Sequence, residues 1–203
     1  MAGHYFSEQP DAASDVRRLP LHLPDLSIDL DADTGVFSST QIDGGTRLLL
    51  LEGVRPEAGA RVLDVGCGYG PIACVAATRS RDAEVWAVDV NERARALTAA
   101  NAERLGLDVR VEAPEDVPDD VRFDLIVSNP PIRIGKANLH ALLEHWLDRL
   151  TPDGHAELVV QKHLGSDSLA AWLNRNGWTT SRRLSRGGFR ILDVEARSEE
   201  ARS

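Results

Sequence analysis

Cysteine is nearly absent from this 203-residue chain: Cys67 and Cys74 are the two present, with no Cys/His cluster around them. That excludes a disulfide framework and a zinc-finger ligand set, and it fits a reducing compartment such as the cytoplasm. Also missing is any run approaching the eighteen or so apolar residues that a membrane span requires, and residues 1–20 contain no stretch of signal-peptide type. A soluble intracellular protein that does not engage a membrane is expected. Positive charge is in deficit too, with 23 Lys and Arg against 32 Asp and Glu and a formal net charge of −9. Such a chain does not coat nucleic acid or anionic membrane through its overall field, although a local basic patch stays open to it. No internal repeat or low-complexity linker is found.

What is there is enough apolar residue, 42% of the chain, for one well-filled core. Residues 1–26, rich in Pro, Asp, Ser and Arg, read as an irregular arm. Residues 26–30 alternate apolar and polar, Asp31-Ala-Asp-Thr-Gly35 supplies turn chemistry, and Val36-Phe37 resumes an extended run, so a hairpin is expected there. Residues 38–43 offer N-caps ahead of a short apolar helix over 46–51 that ends near Gly53. From Arg61 onward, short β-rich runs alternate with helical stretches, the pattern of βαβ units around a parallel sheet. Strands are predicted over 61–65, 84–89, 109–112, 123–128 and 155–161, and helices over 71–78, 91–105, 138–150 and 166–176. Gly106 is read as a C-cap, Pro152-Asp-Gly154 as the stop of the third helix, and 178–184 with 189–195 as an antiparallel hairpin at the sheet edge. The expected organisation is one globular domain. An arm, hairpin and short helix over 1–53 pack on a catalytic body over 54–197, followed by a polar tail over 198–203.

Three motifs carry chemistry. Val62-Leu-Asp-Val-Gly-Cys-Gly-Tyr-Gly70 runs an apolar strand into glycines that let a ligand sit against the main chain at a helix N-terminus. Dinucleotide folds space these glycines G-x-G-x-x-G; the G-x-G-x-G spacing of Gly66, Cys67, Gly68 and Gly70, preceded by Asp64, is that of S-adenosylmethionine binding. Asp89, followed by Val90, closes the next strand about twenty residues on, where a Rossmann-type acid accepts the ribose hydroxyls; a strand-terminal Asp also commonly caps the helix that follows, but paired with the glycine loop the ligand reading is the better one. Phe123-Asp-Leu-Ile-Val-Ser-Asn-Pro-Pro131 puts Asn129, Pro130 and Pro131 directly after a strand. The prolines stiffen the turn, so the Asn129 amide oxygen and a main-chain carbonyl, that of Pro130, can accept from one in-plane NH2 group and orient its nitrogen.

On these residues the chain resembles the methyltransferase small domain family, close to the ribosomal RNA small subunit methyltransferase C type. The likeness also takes in His4-Tyr-Phe-Ser7, Asp33-Thr-Gly-Val-Phe-Ser38, Ile42-Asp-Gly-Gly-Thr-Arg-Leu-Leu-Leu50 and Ser128-Asn-Pro-Pro-Ile-Arg-Ile-Gly-Lys136. The resemblance implies a Rossmann-like α/β fold whose seven-stranded, mostly parallel sheet has the order 3-2-1-4-5-7-6. It also implies S-adenosylmethionine over the carboxyl ends of the first two strands, and methyl transfer to guanine N2 in ribosomal RNA. Larger members of that type carry a second, degenerate domain ahead of the catalytic one, which these 203 residues do not contain. Where the family places an acid near the adenine this chain has Pro114, and Asp116 is the expected substitute. Where an aromatic often follows Asn-Pro-Pro to stack on the target base it has Ile132, and Phe37 is either the replacement stacking surface or a core residue.

Arg133 and Lys136 flank the amine site and are assigned to substrate phosphate, and Arg182, Arg183, Arg186 and Arg190 form a second basic group on the terminal hairpin. Trp86, Trp146, Trp172 and Trp178 are read as packing residues. The expected reaction is direct in-line transfer to the amine, with no metal and no cysteine nucleophile, by a monomer or homodimer whose partner is RNA. Adenine in RNA or a protein glutamine as substrate, and a noncatalytic methyltransferase-like partner, are the alternatives.

Overall fold

A computed structural model describes residues 13–197; His4–Ser7 and the tail over 198–203 lie outside the described residues. The sheet strands that the sequence periodicity predicts are present: β3 (Arg61–Val65), β4 (Glu84–Val88), β5 (Val109–Glu112), β6 (Phe123–Ser128), β7 (Leu150–Gln161), β8 (Thr180–Arg186) and β9 (Phe189–Glu195). They form one sheet in the order β5-β4-β3-β6-β7-β9-β8. The first five are parallel, while β9 runs antiparallel to both β7 and β8. Counted within the sheet, this is 3-2-1-4-5-7-6.

Alternation along the strands divides the core in two. Val62, Val85, Ala87, Leu125 and Val127 face one cluster, which is covered by α1 (Gly44–Glu52), α2 (Pro71–Arg79) and α3 (Glu92–Arg104). Leu63, Trp86, Ile126, Leu158 and Leu192 face the other, covered by α4 (Lys136–Leu147) and α5 (Ser166–Arg175), with Trp146 and Trp178 fully buried. Strands buried on both faces are what a continuous apolar run encodes. Trp86, Trp146 and Trp178 are therefore packing residues as expected, and Trp172 is half-buried against the His140 ring at 3.7 Å.

Two sequence expectations are corrected. The N-terminal hairpin pairs β1 (Arg17–His22) with β2 (Ser27–Ala32), so it lies earlier than a hairpin joining 26–30 to Val36-Phe37. Leu19, Leu21 and Leu30 are its buried face. Pro20 disguises β1, yet a two-stranded ribbon has only edge strands, where a residue without an N–H is tolerated. The other correction concerns α4, which stops at Leu147, so that Leu150 begins β7 opposite Phe123. Pro152-Asp-Gly154 is then a bulge before His155 pairs with Leu125, and not a helix stop. A Cβ at Gly154 would sit 2.8 Å from the Phe123 carbonyl oxygen, which accounts for glycine there. Gly106 does close α3: with φ +62 it lets Leu107 N–H reach the Ala102 carbonyl at 2.9 Å, a Schellman closure.

Candidate functional site

Register places the candidate residues in one row. Val88, Val65 and Ser128 are aligned on the neighbouring strands β4, β3 and β6, so Asp89, Gly66 and Asn129 each leave the sheet one residue later, side by side. The strand order reverses between β3 and β6, and ligands of open α/β sheets bind outside the carboxyl ends at such a switch point.

The glycine loop is anchored to β4. Gly66 and Cys67 N–H donate to the Val88 carbonyl at 2.9 and 3.0 Å, and Gly68 N–H donates to Asp89 Oδ2 at 3.0 Å. Gly70 caps α2 with φ +88, and a Cβ there would lie 2.9 Å from the Thr98 side chain, so both conformation and close approach require glycine. Cys67 is buried, its sulfur 3.4 Å from Thr98 Oγ1, and burial pushes its thiol up, the opposite of an activated nucleophile.

Asp64 lies fully buried beneath this loop. Its Oδ2 accepts from Ala73 N–H at 3.0 Å in the first turn of α2, while its Oδ1 has no hydrogen-bond partner. Burial pushes its carboxyl up to about 8, with the nearby Asp89 charge as a lesser cause. An unpaired buried acceptor below an open glycine loop suits a cationic ligand group. Asp89 accepts Asn91 N–H on Oδ1 at 2.9 Å, and burial raises its pKa against the pull of that bond and of the Gly68 N–H. Two of its roughly four lone-pair positions are left for hydroxyl donors. Val90 is exposed beside it, and Asp116 is exposed on the 3-10 turn Pro114–Asp116 after β5.

The Asn-Pro-Pro segment is rigid for a reason beyond its prolines. Ile132 N–H donates to the Pro130 carbonyl at 2.8 Å and Pro131 sits at φ −74, ψ 75, an inverse γ-turn. One lone pair of that carbonyl is used, and one is left for an amine. Asn129 Nδ2 donates to Asp43 Oδ2 at 2.8 Å and to Thr46 Oγ1 at 3.0 Å. A carboxylate only accepts, so these contacts fix the amide with Oδ1 as the atom left for an incoming donor.

The loop over 33–42 is tied to the same row. Asn91 Nδ2 donates to the Gly35 carbonyl at 3.0 Å, and Val36 is buried 3.9 Å from where a Cβ on Gly68 would stand. Phe37 is 48% exposed, which decides against a core role. Ile132 is half-buried; Arg133 and Lys136 are exposed, and neither forms an ion pair among the described residues. The hairpin arginines are a different case. Arg182 and Arg190 pair with Asp167, Arg183 with Asp193 and Glu157, and Arg186 with Glu52. The sequence leaves these four open between a phosphate contact and ordinary surface charge, and the fold pairs each of them with its own acids. Sequence reasoning also passed over Asp43, Thr46 and Asn91 as site residues. Asp43 and Asn91 carry the signal of ordinary N-caps, which they also are.

A family model described as the methyltransferase small domain matches residues 27–193. Among curated proteins, the uncharacterized protein YbxB of Bacillus subtilis is 37% identical over 172 residues, covering 83% of this chain and 86% of that protein. Ribosomal RNA small subunit methyltransferase C of Shewanella amazonensis is 32% identical over 168 residues, covering 80% of this chain. This chain spans about half the length of that relative, 49%. Among solved structures, the T. thermophilus 16S rRNA N2 methyltransferase RsmC in complex with AdoMet and guanosine superposes with a TM-score of 0.74 at 26% identity. That match covers 93% of this chain and 52% of the other.

Proposed function

Since this chain belongs to the methyltransferase small domain family, we propose that it methylates the exocyclic N2 of a guanine in small-subunit ribosomal RNA. It is an S-adenosylmethionine-dependent methyltransferase, and S-adenosylmethionine is its cofactor. The observation that carries the amine reading is the Asn129 amide held with its oxygen toward incoming donors at the end of β6, beside the glycine loop; the choice of guanine rests on the likeness to the small subunit methyltransferase C proteins. We assign the protein to the cytoplasm, a reducing compartment that its two free cysteines fit.

The residues present fit the cofactor. Asp64, with its unpaired Oδ1, would take the amino group, Asp89 the ribose, and exposed Val90 and Asp116 the adenine side. When bound, S-adenosylmethionine supplies a methyl group on a positively charged sulfur. The chain's own part is orientation. Guanine N2 is a weak nucleophile because its lone pair is delocalised into the ring. Asn129 Oδ1 and the Pro130 carbonyl, accepting its two hydrogens, hold the lone pair toward the methyl donor at no reorganisation cost during the reaction. A stacked base must be flipped out to reach them, and exposed Phe37 and half-buried Ile132 offer it apolar faces. Asn129, Pro130 and Pro131 act as one rigid acceptor unit.

The test is transfer of labelled methyl from S-adenosylmethionine to RNA from a strain lacking this protein, followed by digestion to nucleosides. Label in N2-methylguanosine is the expected result. Label in a methyladenosine, or in protein glutamine, would replace the guanine assignment while keeping the acceptor geometry. Arg133 and Lys136 enter as phosphate contacts, because the overall negative charge is screened beyond about 10 Å at 0.1 M salt. Changing either to alanine is expected to lessen the slope of log K against log salt for RNA binding by about 1, leaving cofactor binding unchanged. Titrations at several salt concentrations measure this.

Asp64 gives a pH prediction. Its folded-state pKa of about 8 lies above the 3.8 of an ordinary carboxyl, so near pH 7 the ligand-free protein holds a proton there that the unfolded chain does not. Stability of the ligand-free protein therefore declines as pH rises from about 4 to 8. A cationic amino group favours the carboxylate, so cofactor binding at pH 7 releases a proton, and affinity climbs with pH until about 8. Calorimetry in buffers of different ionisation enthalpy reads the proton directly, and Asp64→Asn is expected to abolish both the release and the slope.

A further inference from the structure

We propose that Asp43, outside the glycine-loop body, is the positioning residue that sets which way the Asn129 amide faces. One carboxylate oxygen does two jobs. Asp43 Oδ2 accepts Gly45 N–H at 2.8 Å and Thr46 N–H at 3.0 Å, capping α1, and on the same atom accepts Asn129 Nδ2 at 2.8 Å. Thr46 Oγ1 takes the second Nδ2 hydrogen at 3.0 Å.

Left alone, an Asn amide has a broad, nearly two-fold terminal torsion. A flipped amide would present NH2 to the amine of the substrate, donor against donor, and the site would orient nothing. An anion that only accepts selects one of the two orientations through a charge-assisted bond, roughly twice as strong as a neutral one. The same bond draws electron density toward Oδ1 and strengthens it as an acceptor. Placement is equally specific. A Cβ on Gly45 would come within 2.9 Å of the Phe189 ring and 3.0 Å of Asp43 Oδ2, so this glycine lets the α1 N-terminus press onto β9 and reach Asn129. At the far end, Val54, a non-glycine residue at φ +55, donates its N–H at 2.8 Å to buried Glu157 on β7. α1 is thus pinned at both ends, and the segment before the glycine loop completes the acceptor site.

This inference rests on the N-methyltransferase reading above, and its test separates the two. Asp43→Asn and Asp43→Ser both keep good N-caps; the first removes the charge and the second is too short to span to Asn129. Rates are measured with labelled S-adenosylmethionine and RNA from a strain lacking the protein. The expected result for each is a fall in kcat of roughly 10- to 100-fold, with KM for the cofactor and the thermal midpoint little changed. No further loss is expected when the Asn129→Ala background already lacks the amide. Unchanged kcat in both variants would overturn the proposal. Nitrogen-resolved NMR of the full chain gives a readout independent of turnover. The Asn129 side-chain NH2 pair, identified by its loss in Asn129→Ala, should be strongly displaced in wild type and return toward free-amide values in Asp43→Ser. If wild type labels no RNA while the pair shifts as described, the substrate assignment fails and the positioning contact stands. An unshifted pair defeats the contact itself.

Discussion

Asn129→Ala is expected to slow methyl transfer by roughly 10²- to 10³-fold, the loss seen when one preorganised polar partner of a reacting group is deleted. Cofactor affinity should fall by no more than about tenfold, because Asn129 is one contact among those of the glycine loop, Asp64 and Asp89. The split follows from what the side chain touches. Its Nδ2 is spent on Asp43 and Thr46, so the oxygen is what the variant takes from the substrate. Asp43 keeps its two backbone donors in the variant, so the α1 cap survives and the thermal midpoint should move by only a few degrees. Single-turnover measurements with saturating cofactor test this without interference from product release. A variant that retained wild-type turnover would show that the Pro130 carbonyl alone orients the amine.

Much of the fold was legible because each strand is a short apolar run bounded by turn chemistry. β3, β5 and β6 begin and end where their residues change character. The misplaced features have local causes. Pro20 hid β1 by suggesting a break, and Leu150 fits a helical period as well as it fits β7, where pairing with Phe123 decides the matter. Gly66, Asp89 and Asn129 stood out as candidates because each directly follows a strand, and parallel register then aligns them, with Asp64 inside β3 two residues before Gly66. Asp43 was not readable as part of it. Its partner is 86 positions away, and nothing local distinguishes an N-cap that holds a helix from one that also holds the Asn129 amide. The pairing of the hairpin arginines was hidden likewise, since Glu52, Glu157, Asp167 and Asp193 reach them only through tertiary packing.

Asp89→Ala is expected to weaken S-adenosylmethionine binding by roughly 100-fold or more, and to do so by two separable routes. The first is direct. Two hydrogen bonds from ribose hydroxyls to a charged acceptor are worth about 1.5 kcal/mol each at the low end, close to 3 kcal/mol together, or about two decades in Kd. The second acts through the glycine loop, because Asp89 is also the acceptor for Gly68 N–H and Asn91 N–H. Deleting the carboxylate leaves both part-buried donors without this acceptor, at about 1 to 3 kcal/mol where water cannot replace it, and frees the loop from the end of β4. The two routes differ in what they do to ligand discrimination. Competition by adenosine and by 2′-deoxyadenosine separates them: wild type should prefer the ribonucleoside, and Asp89→Ala should bind the two alike. Loss of affinity with that preference intact would make Asp89 a brace for the glycine loop and leave the ribose to another acceptor. A drop of several degrees in thermal midpoint should accompany either outcome, because both donors are left unpaired whichever group holds the ribose.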